Sequence, residues 1–143
     1  FTDISQWATG VLASGPNPNV TSGPAGSPIA GRSCTVEGFG VTDERITAFD
    51  AAARSLAYTV AAPKLPGFVR RAENAWAIRE VSADTCEVTS TSSADLAGLM
   101  GTLASPMLKK NFTSTIGSML KDLPAYAETG VVSARKKDQI QRA

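Results

Sequence analysis

Two stretches in the first half of the chain alternate apolar and polar residues with a period of two. Along Val41 to Phe49, the residues Glu44, Ile46 and Ala48 share one face. Along Arg54 to Ala62, Leu56, Tyr58 and Val60 do the same. Such strands are half-buried, with a mostly apolar side turned inward. A carboxylate and a phenol on those inward sides each need a hydrogen-bond partner, a bound water or a ligand, because burying either alone is costly. The pattern predicts a sheet wrapped around a partly polar cavity. Further strand-like runs are Arg32 to Phe39, Phe68 to Val81 with Trp76 and Ile78 on one face, and Cys86 to Ser93. Short connections, among them the turn Lys64-Leu65-Pro66-Gly67, predict an antiparallel meander.

The period changes at both ends. Ile4, Trp7 and Val11 are spaced to share a helical face, which predicts a short helix over Phe1 to Val11. Ser14 to Gly31 is rich in Gly, Pro, Ser and Asn and reads as a loop, long enough to be functional or mobile. Near the other end, Ser105-Pro106 has the form of a helix start, with Ser as the cap and Pro at the first helical position. Leu108, Phe112, Ile116, Met119, Leu120 and Leu123 then recur at steps of three and four, an apolar stripe on a long helix. Pro124 is expected to end or kink it, and Gly130 to close it. One amphipathic helix after a curved sheet needs a surface to bury against, and the concave face of the sheet offers one.

A chain of 143 residues is one domain with a sizeable core. The net charge of +1 implies no attraction to nucleic acid. Val131 to Ala143 carries Arg135, Lys136, Lys137 and Arg142 against Asp138, and reads as a solvated basic tail, with weak binding to an anionic surface as the sharper alternative. No run is apolar enough to span a membrane, so no integral membrane association is expected. Cys34 and Cys86 are the only cysteines. Their positions admit a disulfide, but two buried free thiols in a cytoplasmic protein are favoured. The absence of histidine excludes Ser-His-Asp and Cys-His catalysis and every His-ligated metal site. No Walker loop or GxGxxG is present, and neither a metal nor a cofactor is expected.

The ordered set of residues resembles the START-like superfamily (SRPBCC), in its polyketide cyclase/dehydrase and lipid-transport branch. The pieces are Asp3-Ile4-Ser5-Gln6-Trp7, Gly31-Arg32, Glu44-Arg45-Ile46 with Asp50, and Leu56-Ala57-Tyr58. The long strand with Trp76, then Leu120-Lys121-Asp122-Leu123, Tyr126, Glu128 and Gly130 complete it. The resemblance implies an α+β helix-grip fold over residues 1–130, in which a curved antiparallel sheet wraps a long C-terminal helix, with 131–143 as the tail. It implies a cavity between sheet and helix for an apolar or amphipathic molecule. Family members usually open with a strand that runs into the first helix. That strand is expected to be missing here, which would leave an exposed edge beside the Cys34 strand. A longer natural N-terminus, or a second chain in a dimer, would cover that edge.

Trp7, Arg32, Glu44 and Tyr58 are the residues expected nearest the cavity. Arg32 and Glu44 would form a polar pole that orients a ligand's carboxylate, hydroxyl or keto group. Tyr58 would donate a hydrogen bond, and Trp7 would cover the entrance. The structural alternative is a buried Arg–Glu pair capped by Tyr58 that holds strand register and touches no ligand. Ile46, Trp76, Phe112, Ile116, Met119 and Leu120 are core or lining. Met100 and Met107 lie in a flexible apolar segment suited to a cavity mouth or flap. In the run Thr89-Ser90-Thr91-Ser92-Ser93 one set of hydroxyls must face inward, which makes Ser90 a candidate contact in a partly wet cavity.

Two function classes follow. The first is a binding or carrier protein for a hydrophobic small molecule, lipid or polyketide-like, held mostly by buried area. The second is an enzyme of the cyclase or dehydratase kind, with Tyr58 and Arg32 stabilising an enolate and Glu44 as base. The first is favoured, because few convergent polar groups are present.

Overall fold

The computed structural model describes residues 1–142. Six strands form one curved antiparallel sheet in chain order: β1 (Val11–Pro16), β2 (Gly31–Val36), β3 (Gly40–Asp50), β4 (Ser55–Ala61), β5 (Val69–Ser82) and β6 (Thr85–Leu96). A one-turn helix, α1 (Ile4–Trp7), precedes the sheet. A long helix, α2 (Gly98–Thr129), and a short one, α3 (Ala134–Arg142), follow it. The fold is therefore α+β, as expected.

The N-terminal helix is shorter than its apolar spacing predicts. Gly10 adopts a φ of 90°, in the left-handed region, which ends any helix there. Val11 then begins β1 instead, buried at 2% exposure. β1 pairs with β2 through Ser14↔Cys34 and ends at Pro16. The edge beside the Cys34 strand is thus paired within the chain, which corrects the expectation of a missing strand there. The open edges of the sheet are β1 and β6. A sheet edge tolerates Gly15 and Pro16 of this strand, whose sequence has little strand preference of its own. The loop expected from Ser14 begins only after Pro16. Within it Asn17 is buried, and its amide donates to Asp43 Oδ1 at 2.8 Å.

Arg32 on β2 stands directly opposite Glu44 on β3. Gly31 is required at the start of that pairing, because a Cβ there would lie 2.3 Å from the Glu44 carbonyl oxygen. On β3 the alternation holds through Thr42, Glu44 and Ile46, all buried. A bulge at Thr47 then shifts the register, so that Ile46 faces Tyr58 but Ala48 faces Ala57. Ala48 is exposed, and Phe49 takes over the inward face. The extra residue of a bulge reverses which side the following side chains point to.

The long helix starts at Gly98, seven residues before the Ser105-Pro106 signal. Pro106 and Pro124 both lie inside it, so neither begins nor ends it. Gly130 does close it, at φ 69° with its N–H donating to the Tyr126 carbonyl, an αL cap. The apolar stripe packs as expected at its centre. Met119 joins Ile4, Ala8, Val11 and Cys34 in the core, with Trp7, Val36 and Ile116 against them.

The basic tail is not simply a solvated end. Ala134–Arg142 form α3, and Lys136 is 1% exposed, with Nζ donating to the Val11 carbonyl at 2.7 Å. Gln139 accepts from the Gly10 N–H at 2.8 Å. Asp122 on α2, also sealed from water, accepts from the Thr9 N–H at 2.9 Å and from Arg135 at 2.8 Å. Burial opposes the charge on Asp122, but hydrogen bonds from Ser133, Thr9 and Arg135 outweigh it and hold the carboxyl below its ordinary value. Burial pulls the Lys136 ammonium below its usual range, and Asp122 offsets part of that. Arg135 and Lys136, with Gln139, thus form a polar clasp tying α3 to α2 and to the turn before β1, while Lys137 and Arg142 stay exposed.

Candidate functional site

A cavity of about 590 Å³ opens between the sheet and the residues of α1 and the end of α2. Trp7 from α1 forms part of its wall and stacks on Tyr126 from α2, with ring centroids 6.3 Å apart. Phe49, Leu56, Trp76 and Ile78 supply the sheet side, and Arg32 and Tyr58 the polar part. Asp3, Asp50 and Arg54 stand among the lining residues, the last two from the end of β3 and the turn that follows it.

The polar pole is a sealed cluster. Arg32 Nε donates to Glu44 Oε2 at 2.6 Å, with the two side chains 4% and 8% exposed. A second guanidinium nitrogen donates to the Phe1 carbonyl. The same guanidinium sits over the Phe1 ring at 3.9 Å and over the Tyr58 ring at 5.3 Å, and those two rings meet edge to face. Trp76 Nε1 donates to the Tyr58 hydroxyl at 3.3 Å. That phenol oxygen is therefore an acceptor toward Trp76, and the Asn74 side chain stands beside the same hydroxyl.

Burial pushes the Glu44 carboxyl up, against the pull of Arg32. Burial also opposes the charge on Arg32, but Glu44 and Tyr58 outweigh it and hold the guanidinium above its ordinary value. The short contact decides for a charged pair, since neutralising Glu44 would strand a guanidinium out of water. Burial likewise raises Tyr58 to about 12 and the Cys34 thiol to about 12, so neither ionises near neutral pH. Cys34 is a buried free thiol as expected. Cys86 is free but exposed, near the start of β6 where the β5–β6 hairpin turns.

The remaining expected residues do not converge on one space. Glu44 does not line the large cavity. It lines a smaller inner space of about 80 Å³, together with Arg32, Cys34, Tyr58, Phe112, Ile116 and Met119. Ser90 and Leu120 line a groove of about 370 Å³ between β6 and α2, which Phe112 and Ile116 also border. Ser90 Oγ is buried there with no partner, and Ser92 Oγ donates to Asn74 at 2.5 Å. Alternation on β6 sends Thr89 and Thr91 to the opposite face of the sheet, where they border a shallow surface hollow with Ala48. Ile46 is buried at 4% exposure, on the inward face opposite Tyr58. Met100 and Met107 stand outside on the surface of α2, because the helix already runs through the segment expected to be a flap. Phe49, Tyr126 and Leu123 line the cavity without having been singled out as contacts. The last two fall in the helical stripe and the resemblance, whereas Phe49 was hidden by the bulge.

No protein-family model matches the sequence, and no curated protein matches it. Two solved structures are similar in fold. One is the crystal structure of an uncharacterised protein from Bacillus thuringiensis, with a TM-score of 0.60 and 12% identity, covering 83% of this chain and 80% of that one. The other is the solution structure of a protein from Thermobifida fusca, with a TM-score of 0.54 and 20% identity, covering 83% of this chain and 76% of that one. At these identities the likeness concerns the fold alone.

Proposed function

We propose that this chain is a START-like helix-grip domain that binds a neutral, apolar or amphipathic small molecule in its large cavity. The observation that carries the reading is an aromatic-lined cavity of about 590 Å³ with one buried polar pole, the Arg32–Glu44 pair beside Tyr58. Ligand sites are mostly apolar concavities with a few placed polar groups. The charge of the pole favours a neutral ligand, because Glu44 already matches Arg32, and Asp3 and Asp50 stand against Arg54 at the lining. An anionic head would find no uncompensated cation. A single acceptor on the ligand, a carbonyl or ether oxygen, would suit the Tyr58 hydroxyl as donor.

A volume of about 590 Å³ equals about 20 water volumes, so a ligand of about 15–20 non-hydrogen atoms fits. At about 0.3 kcal/mol per atom such a ligand gains about 4.5–6 kcal/mol, a Kd of about 0.5 mM or tighter. The cyclase reading draws less support. Its candidate base, Glu44, is bonded to Arg32 and borders the inner space rather than the cavity, so a substrate in the cavity does not meet the carboxylate.

Native mass spectrometry of the protein as purified, beside a denatured extract, tests the proposal. A bound neutral molecule of discrete mass, released on denaturation and reduced in Tyr58→Phe, is the expected result. A discrete bound anion that persists in Tyr58→Phe would contradict it.

A further inference from the structure

The first three turns of α2 leave a large apolar face uncovered. Leu99, Met100, Leu103 and Met107 are 75%, 64%, 67% and 58% exposed. Their spacing of three, four, seven and eight residues aligns them along one side of the helix. Lys110 follows Met107 by three residues and Leu103 by seven, so it continues the same side, and Lys109 flanks it. Both lysines are exposed. From Leu96 to Lys121 there is no acidic residue, and the charged ones are Lys109, Lys110 and Lys121. The acid nearest the start of the helix, Asp95, stands opposite Arg71 in the sheet.

We propose that this face of α2 docks on an anionic lipid surface. A stripe of flexible aliphatic side chains bordered by lysines is the pattern of a helix that lies in the membrane interface, its apolar side among the acyl chains and its ammonium groups at the headgroups. Charge complementarity selects the occupant. A second copy of the chain would bring no acid on the same face to meet Lys109 and Lys110. The stripe also lacks the Trp, Tyr and Arg anchors that dominate protein interfaces. The helix does not cross the membrane, since no helix among the described residues is long and apolar enough. Docking in this way also brings the groove between β6 and α2 to the surface, because Ser105, Leu108 and Lys109 belong to its lining. The inference stands on the exposed face and its charge, independently of what the large cavity holds.

Co-sedimentation with vesicles of phosphatidylcholine, with and without about a third phosphatidylserine, tests the proposal. The protein is expected to bind the anionic vesicles and not the neutral ones, and to be released as salt is raised. Lys109→Glu/Lys110→Glu is expected to lower partitioning by about tenfold or more. Leu103→Asp is expected to bring it to background, with the circular dichroism spectrum and melting temperature unchanged in both variants. Absence of binding by the folded wild-type chain overturns the proposal, as does binding that all the variants retain. A concentration-dependent dimer that Leu103→Asp abolishes, with no vesicle binding, would overturn it in favour of a second copy. Binding to vesicles in a variant whose large cavity is filled separates this inference from the cavity reading.

Discussion

Replacing Glu44 by Gln keeps the shape of the side chain and removes its charge. Arg32 would then hold a guanidinium at 4% side-chain exposure with no counter-charge, where it now has Glu44 at 2.6 Å. Its remaining protein partners are the Phe1 carbonyl and the faces of Phe1 and Tyr58. Breaking a buried pair by removing one partner costs about 3–5 kcal/mol. With a urea m value of about 2 kcal/mol/M, the unfolding midpoint should fall by about 1.5–2.5 M. The double variant Arg32→Met/Glu44→Leu should behave differently. It removes both charges and both desolvation costs, so its stability should lie within about 1 kcal/mol of the wild type, or above it. Equilibrium urea unfolding of the wild type, Arg32→Met, Glu44→Leu and Arg32→Met/Glu44→Leu completes the cycle, with Glu44→Gln measured beside it. A Glu44→Gln variant that loses less than about 1 kcal/mol would refute the reasoning, because it would mean that water reaches the guanidinium.

Two further outcomes test other parts of the architecture. Asp122→Asn should lose about 1–3 kcal/mol at neutral pH, from weaker bonds to Thr9 and Arg135. The Asp122 carboxyl is held below its ordinary value of 3.8, so its contribution is present above that pH and lost as pH falls through the lower folded value. The melting-temperature gap between wild type and variant should therefore narrow as pH falls below that value, and a gap independent of pH would count against the clasp. Gly31→Ala should cost about 1–3 kcal/mol, since the new methyl meets the Glu44 carbonyl oxygen and one strand must move. A neutral result in thermal melts would show that the β2–β3 pairing yields without strain.

Much of the pole was legible because strand alternation is local. Once Val41 to Phe49 is a strand, Glu44 and Ile46 must share a side, and the resemblance named Arg32 before their cross-strand pairing was known. The phase beyond Ile46 was not legible. The bulge at Thr47 follows from how β3 meets β4, and no residue type announces it. β1 escaped notice because Leu12-Ala13-Ser14-Gly15-Pro16 carries little strand preference, and it is a strand by virtue of its pairing with β2. The early start of α2 was masked by Pro106, which signals a first turn far more often than a helix interior. The docking of α3 was equally hidden, since four basic residues in a tail read as solvated and only the fold brings Asp122 and the Val11 carbonyl to meet them. The division of the expected contacts between a cavity, an inner space and a groove depends on unfilled volume, which sequence does not report.

Trp7 and Trp76 are the only two tryptophans in the chain, and both line the large cavity. Titration with N-phenyl-1-naphthylamine, a neutral apolar fluorophore, while following tryptophan emission therefore reads occupancy of that cavity directly. The account predicts saturable quenching with one site per chain and a Kd of about 0.5 mM or tighter. The variant Ile78→Phe/Val88→Phe, which fills the space from β5 and β6, should lose the quenching while remaining folded. Emission that does not respond up to the solubility limit of the probe, or quenching that the filled variant retains, would contradict it.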